Sequence, residues 1–244
     1  MSGMYEDPDF FEAYARMPRS AQGLSAAGEW HQFVQLFPPL AGKDVLDMGC
    51  GYGWHSRYAA EQGARSVLGF DLSERMVAEA KRRNAAPRVR YEVCAIEAFA
   101  YPAQAFDVAV SNLALHYVDD LSGVFKKVFG TLRPDGLFLM NIEHPTFTAG
   151  VREDWVYDPE GRPLYWPVDD YFRPGERVTR FLSHDVKKYH HTLTQILMGL
   201  IECGFALEAV VEAMPDPRML DLPGMRDELR RPMMLLVRAR KPAK

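Results

Sequence analysis

The chain of 244 residues contains little cysteine and no long apolar run. Its three cysteines, Cys50, Cys94 and Cys203, are scattered and form no Cys-x-x-Cys pair, which argues against both a disulfide framework and a zinc site. No apolar run approaches the ~20 residues of a membrane span, and the first residues lack the basic-then-apolar pattern of a signal peptide. We therefore expect a protein of the reducing cytoplasm with no membrane partner and no metal.

An excess of positive charge is also missing. The formal net charge is −4, so the chain has no overall attraction for polyanions, and nucleic acid is not an expected partner. At 48% hydrophobic residues the chain can bury a sizeable core. We expect one domain over residues 1–244, present as a monomer or a homodimer.

Two hydrolytic signatures are absent as well. The sequence has no His-x-x-x-His pair, which a zinc protease carries on a helix, and no Gly-x-Ser-x-Gly segment, which forms the nucleophile turn of many α/β hydrolases. The chain is therefore not expected to be a hydrolase of either kind.

Strand and helix patterns alternate over the first 143 residues. Such alternation predicts a doubly wound parallel sheet. The predicted strands cover residues 44–48, 66–70, 88–93, 106–111, 137–142, 207–212 and 233–240, and the predicted helices cover residues 25–37, 54–62, 74–83, 120–131 and 192–203. Ser73 is placed to cap the helix of residues 74–83.

The most informative segment is the first predicted strand with the glycine turn after it. Gly49, Gly51 and Gly53 follow that strand, and Asp71 ends the next strand twenty positions after Gly51. Such a unit binds an adenosine-containing cofactor, because glycines let the backbone approach the ligand and the carboxylate accepts hydrogen bonds from the ribose. Asp47, two residues before the first glycine, would repel a pyrophosphate but can pair with the ammonium group of a methionine moiety.

Residues 44–53 and 69–73 resemble motifs I and II of the class I S-adenosylmethionine-dependent methyltransferases. Residues 91–97, 106–112 and 132–138 resemble further motifs in family order, and the resemblance is strong over residues 30–145. It implies a Rossmann-like α/β fold, with a mostly parallel seven-stranded sheet, helices on both faces and an antiparallel C-terminal strand. The implied cofactor is S-adenosyl-L-methionine, and the implied product is S-adenosyl-L-homocysteine.

The resemblance also implies a set of cofactor-binding residues, running from the methionine end to the adenine end. Met76 has two interpretations, since it can pack on the adenine or on the core, and Asn112 either lies beside the sulfonium or only forms a turn. Cys94 stands where the family often has an adenine-binding Asp. The expected set is Asp47, Gly49, Cys50, Gly51, Asp71, Leu72, Met76, Ala95, Ile96 and Asn112.

Methyl transfer from a sulfonium is an in-line displacement that needs alignment and exclusion of water, and it needs a base only when the acceptor must lose a proton. His116, His144 and His190 lie near the predicted mouth of the site and are candidates for that base. Each could instead bind loop backbone or line the pocket.

The expected methyl acceptor is a small molecule. The segment Ser111-Asn112-Leu113-Ala114 lacks the Asn/Asp-Pro-Pro-Tyr/Phe signature of enzymes that methylate exocyclic amines. We expect residues 145–190, inserted after the fifth strand and rich in aromatics, to cover the substrate together with residues 1–24. The aromatics could cradle the acceptor or form the insertion's own core. Two alternatives to a methyltransferase remain, a NAD(P)-dependent oxidoreductase and a non-catalytic S-adenosylmethionine-binding regulator.

Overall fold

The computed structural model describes residues 3–150 and 152–243. Its strands, in chain order, are β1 Asp44–Met48, β2 Ser66–Asp71, β3 Val89–Val93, β4 Phe106–Asn112, β5 Leu132–Glu143, β6 Val156–Tyr157, β7 Pro163–Tyr165, β8 Gly175–Phe181, β9 His184–His190, β10 Ala206–Glu212 and β11 Met234–Arg240. Its α-helices are α1 Gly3–Glu6, α2 Pro8–Arg16, α3 Pro18–Gln22, α4 Trp30–Phe33, α5 Trp54–Glu61, α6 Glu74–Arg83, α7 Leu121–Thr131, α8 Pro145–Thr148 and α9 Leu193–Glu202.

Seven strands form the main sheet in the order β10-β11-β5-β4-β1-β2-β3. The pairings among β1 to β5 are parallel, whereas β11 is antiparallel to both β5 and β10. The central strands β1 and β4 are buried along nearly their whole length because both of their faces are covered, as in other parallel sheets. The predicted Rossmann-like fold with an antiparallel C-terminal strand is confirmed.

Helix caps follow the sequence signals closely. The Ser73 hydroxyl accepts a hydrogen bond from the Met76 amide at 3.2 Å, so the predicted cap of α6 is confirmed. At the start of α9, the Thr192 side chain and the Gln195 side chain each bind the other's backbone amide, which makes a complete capping box. These caps fix where the two helices begin.

Two predicted elements differ from the structure. The helix expected over residues 25–37 is interrupted around Gly28, which favours a turn, and only short helical turns at Gly23–Ala26, Trp30–Phe33 and Val34–Leu36 form there. The strand predicted over residues 137–142 begins earlier, at Leu132, and its register against β4 shifts between Phe106 and Val108. The extra residues of β5 between these two pairings bulge out of the ladder, and the strand continues beyond them.

The insertion forms two small hairpins apart from the main sheet. β6 pairs with β7, and β8 pairs with β9, both in antiparallel fashion. Within the described part of the chain, no helix is long and apolar enough to cross a membrane.

Candidate active site

A cavity of about 470 Å³ opens at the carboxyl ends of β1, β2 and β4. Its floor includes Gly49 and Gly51 from the turn after β1, Asp71 at the end of β2 and Asn112 at the end of β4. These strands are parallel neighbours, so their last residues meet at one edge of the sheet. The sequence prediction that these four residues share a site therefore agrees with their placement.

The glycine turn has two crowded positions, Gly49 and Gly53, and one open position, Gly51. A Cβ on Gly53 would overlap the phenol oxygen of Tyr91, and the φ of +78° at Gly53 is already in the left-handed region. A Cβ on Gly51, whose φ is +51°, would meet no protein atom within 4 Å, although this residue lines the cavity. Gly53 is thus fixed by packing against the protein, while Gly51 leaves space that a ligand can fill.

Asp71 joins the glycine turn to the beginning of α6. One carboxylate oxygen accepts from the Gly51 amide at 2.9 Å, and the other accepts from the Ser73 amide at 3.0 Å. Desolvation raises the pKa of Asp71 despite these bonds. Each carboxylate oxygen can accept more than one hydrogen bond, so the group retains acceptor capacity towards the cavity, as a ribose diol requires.

An apolar slot lies beyond Asp71. Leu72, Met76, Ala95 and Ile96 line it, and their place at the adenine end of the cofactor stays a prediction. Met76 packs in the core, since it is only 2% exposed, and it also forms part of the cavity wall. A flat apolar base would remove this wall from water.

Asp47 and Cys50 lie elsewhere than expected. Asp47 is buried behind the turn, lines neither this cavity nor its smaller neighbour, and accepts a hydrogen bond from the Ser56 hydroxyl at 2.6 Å. Burial raises the pKa of Asp47 to about 7. Asp47 therefore does not border the cavity, and this placement does not support its predicted contact with the methionine ammonium. Cys50 lines a neighbouring cavity of about 70 Å³ instead of the larger one.

His116 and His144 do not line the large cavity of the described structure. His116 is buried with Nε2 3.8 Å from a Glu143 carboxylate oxygen, and burial lowers the pKa of His116 to about 4. The Nδ1 atom of His144 accepts from the Thr146 amide at 3.0 Å and so caps α8. The Nε2 atom of His144 lies 3.1 Å from a carboxylate oxygen of Glu212, so both imidazoles are engaged with other groups of the protein.

His190 uses both of its ring nitrogens in hydrogen bonds. Nδ1 lies 2.7 Å from the Thr148 hydroxyl, and Nε2 lies 2.9 Å from the Tyr171 carbonyl oxygen. Across residues 3–150 and 152–243, neither cavity is lined by His116, His144 or His190. The structure thus argues against the prediction that one of them is the general base, because a base must reach the proton that it removes.

Among the cavity residues that the sequence did not predict, four are polar side chains of the N-terminal segment and of the turn after β4. They are Tyr5 on α1, Tyr14 on α2, Arg19 on α3 and Tyr117 at the end of a 3₁₀ turn. The Tyr5 and Tyr117 phenols interact, and burial together with this neighbour raises the pKa of Tyr5 well above its usual value. Both groups are therefore neutral phenols near pH 7. No short sequence pattern predicts these residues, because tertiary packing brings the N-terminal segment next to the glycine turn.

A buried ion cluster holds the β8–β9 hairpin to the end of β5. The Lys188 ammonium lies 2.6 Å from Glu143 and 2.7 Å from Glu153. Burial alone would lower the pKa of Lys188, but the two carboxylates outweigh it and raise that pKa. Asp185 and Lys187 of the same strand line the cavity. The cluster thus positions the hairpin that forms part of the wall.

The aromatic part of the insertion packs on itself. Trp155 and Trp166 lie around the Arg231 guanidinium, which is 4.2 Å from the Trp166 ring centre, and Trp166 stacks on Phe147. Among the described residues, these aromatics line neither of the two cavities. Of the two interpretations of the aromatics, the geometry favours a local core. The described residues also contain no group of three or more His, Cys, Asp or Glu side chains able to hold a metal.

Comparisons with known proteins agree with this geometry. Residues 46–140 match the model of a methyltransferase domain. A solved structure of a candidate S-adenosylmethionine-dependent methyltransferase from Listeria monocytogenes is 50% identical, covers 90% of this chain and 99% of its own, and has a TM-score of 0.85. An S-adenosylmethionine-dependent methyltransferase from Mesorhizobium loti is 42% identical over 89% of this chain and 100% of its own, with a TM-score of 0.82.

A more distant relative is the malonyl-[acyl-carrier protein] O-methyltransferase of Enterobacter lignolyticus. It is 36% identical over 137 residues, which are 56% of this chain and 50% of that protein. The chain thus matches about half the length of this relative. These findings favour methyl transfer over the alternative of a nicotinamide-dependent oxidoreductase. The chain belongs to the class I S-adenosylmethionine-dependent methyltransferases, and S-adenosylmethionine is its cofactor.

Proposed function

We propose that the protein transfers the methyl group of S-adenosylmethionine to a small-molecule acceptor by in-line displacement. The observation that carries the proposal is the continuity of the large cavity. It runs from the cofactor-side residues Gly51, Asp71 and Met76 to a second group, Met4, Tyr5, Tyr117 and Val118, that the nucleoside does not need. One chamber can therefore hold a methyl donor and an acceptor together.

Cofactor placement follows from the chemistry of the lining. The base fits the apolar slot at Met76, the ribose diol fits the Asp71 carboxylate, and the methionine end fits the open backbone at Gly51. The sulfonium then lies near Asn112, between the two groups of residues. S-adenosylmethionine supplies an activated methyl group with a neutral thioether as its leaving group.

The protein's own contribution is alignment and exclusion of water. Tyr5 and Tyr117 are neutral phenols that can hold the acceptor through hydrogen bonds, and apolar Met4 and Val118 keep solvent from the reacting atoms. The N-terminal segment and the β8–β9 hairpin together act as the cover. Its enclosure favours a small acceptor, and the net charge of −4 gives no attraction for nucleic acid.

The test is release of S-adenosylhomocysteine when the protein is incubated with S-adenosylmethionine and fractionated cell extract. We expect release with the low-molecular-mass fraction and less of it in Tyr117→Phe, whose affinity for S-adenosylhomocysteine stays unchanged. Tyr157→Phe is the matched control, since its hydroxyl binds Asp154 in the β6–β7 hairpin. Release that occurs only with the protein fraction would contradict a small acceptor. Tight cofactor binding without release in any fraction would favour the non-catalytic regulator.

A further inference from the structure

The buried ion cluster behind the chamber contains more acidic than basic groups. It consists of Glu143 at the end of β5, Glu153 in the loop after α8 and Lys188 on β9, with the His116 ring beside them. The ammonium lies 2.6 Å from Glu143 and 2.7 Å from Glu153, so one cation faces two carboxylates. The Lys188 and Glu153 side chains are only 5% and 6% exposed, and water therefore screens a surplus charge there only weakly.

The hydrogen bonds of this cluster are incomplete. Among the described residues, four buried polar atoms of the cluster and of its neighbour Thr179 have no hydrogen-bond partner. They are Glu143 Oε2, Glu153 Oε1, His116 Nδ1 and Thr179 Oγ1. An ionised Glu153 has only acceptor oxygens, whereas a protonated Glu153 can also donate a hydrogen bond. The cluster therefore has room for one added proton.

Glu153 is the group that takes this proton near neutral pH. Burial alone would raise the pKa of Glu143, but its neighbours His116 and Lys188 outweigh burial and lower that pKa. Burial and the Glu143 carboxylate raise the pKa of Glu153 from its ordinary 4.5 to about 7, although Lys188 and Thr179 oppose this rise. Below pH 7 the cluster thus holds one ammonium and one carboxylate, and above pH 7 it holds a second carboxylate that no cation compensates.

The strand that carries Lys188 also forms part of the chamber wall. Side chains alternate along a strand, so Lys188 joins the cluster while Asp185 and Lys187 on the other face line the large cavity. Directly after this strand, the Nε2 atom of His191 lies 2.9 Å from the carbonyl oxygen of Val118, which lines the acceptor end of the same cavity. Docking of Lys188 in the cluster thus sets the position of the wall at the acceptor end.

Tyr117, which we propose to hold the acceptor, is also a neighbour of the cluster. Its ring centre is 4.4 Å from that of His116. Burial raises the pKa of Tyr117, and the charges of Lys188 and Glu143 act on the same phenol. A change of charge in the cluster therefore reaches the acceptor end both through the hairpin and through this phenol.

We propose that the buried ion cluster is a proton-linked latch: protonated Glu153 holds the β8–β9 hairpin over the acceptor end of the chamber, and its ionisation releases the hairpin and weakens acceptor binding. The consequence for the acceptor rests on the proposed function, whereas release of the hairpin does not. A carboxyl group whose pKa is higher in the docked hairpin than in the free hairpin favours docking while it is protonated. This gain is lost as the pH rises through 7.

Hydrogen exchange of the amides of residues 175–190 tests the latch in the protein without ligand. From the pKa values of 4.5 and about 7, the docking equilibrium of the wild type should fall about 10-fold between pH 6 and pH 8, after correction for the intrinsic pH dependence of exchange. Glu153→Gln cannot ionise and should show a constant docking equilibrium. Glu160→Gln removes the same charge from an exposed position between β6 and β7 and is the matched control, which should keep the wild-type fall.

Release of S-adenosylhomocysteine with the low-molecular-mass fraction of cell extract tests the consequence for the acceptor. When this fraction is dilute, the ratio of release by Glu153→Gln to release by the wild type should rise about 10-fold from pH 6 to pH 8. When the fraction is in excess, the ratio should stay constant, because the latch acts on KM for the acceptor and not on kcat.

Hairpin protection that does not change with pH in the wild type would overturn the latch, and so would the same fall in Glu153→Gln. Loss of protection at every pH in Glu153→Gln would also overturn it, because that pattern indicates a purely structural carboxyl group. Absence of release from every fraction, together with the expected fall in wild-type protection, would overturn the proposed function and leave the latch supported.

Discussion

Asp47 is buried at the end of β1, and its replacement by Asn provides a sharp test of the electrostatics under the glycine turn. Burial raises the pKa of Asp47 from its ordinary 3.8 to about 7, while the Ser56 hydroxyl bond opposes this rise. The folded protein therefore holds a proton that the unfolded chain releases between pH 4 and 7. Wild-type stability falls as pH rises through that window, because the unfolded state binds fewer protons.

The size of the effect follows from the two pKa values. One pKa unit corresponds to 1.36 kcal/mol, and integration from pH 5 to pH 8 gives a loss of about 2–3 kcal/mol from this carboxyl group. Asp47→Asn cannot ionise and keeps an oxygen for the Ser56 hydroxyl. We therefore expect its free energy of unfolding, relative to wild type, to increase by that amount between pH 5 and pH 8.

Urea denaturation of both proteins without ligand at a series of pH values measures the difference. Asp44→Asn, at the other end of β1, is the matched control, because hydrogen bonding by the Arg65 guanidinium lowers the pKa of Asp44. That group is ionised in both states above pH 5, so its variant should differ from wild type by a constant amount. A constant difference for Asp47→Asn as well would refute the reasoning.

Three further changes test the site and the insertion. Asp71→Asn should weaken binding of S-adenosylhomocysteine about 10- to 100-fold in calorimetry, because the ribose loses a charged acceptor; unchanged affinity would contradict the ribose assignment. Gly53→Ala should lower the free energy of unfolding by about 2 kcal/mol or more, since its Cβ overlaps Tyr91, whereas Gly51→Ala should cost about 1 kcal/mol but lose most cofactor affinity. A larger loss of stability for Gly51→Ala than for Gly53→Ala, or a larger loss of cofactor affinity for Gly53→Ala, would contradict this account of the turn. Arg231→Ala should shift tryptophan fluorescence and lower stability by about 1–3 kcal/mol while cofactor affinity is retained, and a loss of affinity would link the insertion's core to the site.

The parallel sheet could be predicted from the sequence because its signals are local. The apolar run of β1 and the Ser73 cap of α6 each lie within a few residues of the element that they define. The distance from Gly51 to Asp71 likewise follows from one strand-helix-strand unit. The predicted helix over residues 25–37 was wrong because a glycine interrupts an otherwise helical spacing of apolar residues.

The side chains that enclose the cavity could not be predicted in the same way. His116 and His144 do follow strands whose ends face the site, but position along the chain does not fix the direction of a side chain, and the two rings contact Glu143 and Glu212 instead of the cavity. Tyr5 and Arg19 contact the site through tertiary packing of the N-terminal segment. Their approach depends on the whole fold and leaves no short-range pattern.

The reversed direction of β11 has a practical consequence for attaching the protein to a surface or a label. β11 is antiparallel to β5, and Arg240 pairs with Leu137 near the beginning of the parallel part of β5. This end of the chain is therefore on the side opposite the chamber, whereas Met4 and Tyr5 form part of the chamber wall. A fluorophore or resin linked after residue 243 leaves the entrance open to metabolites, and the same group linked ahead of residue 3 stands beside it.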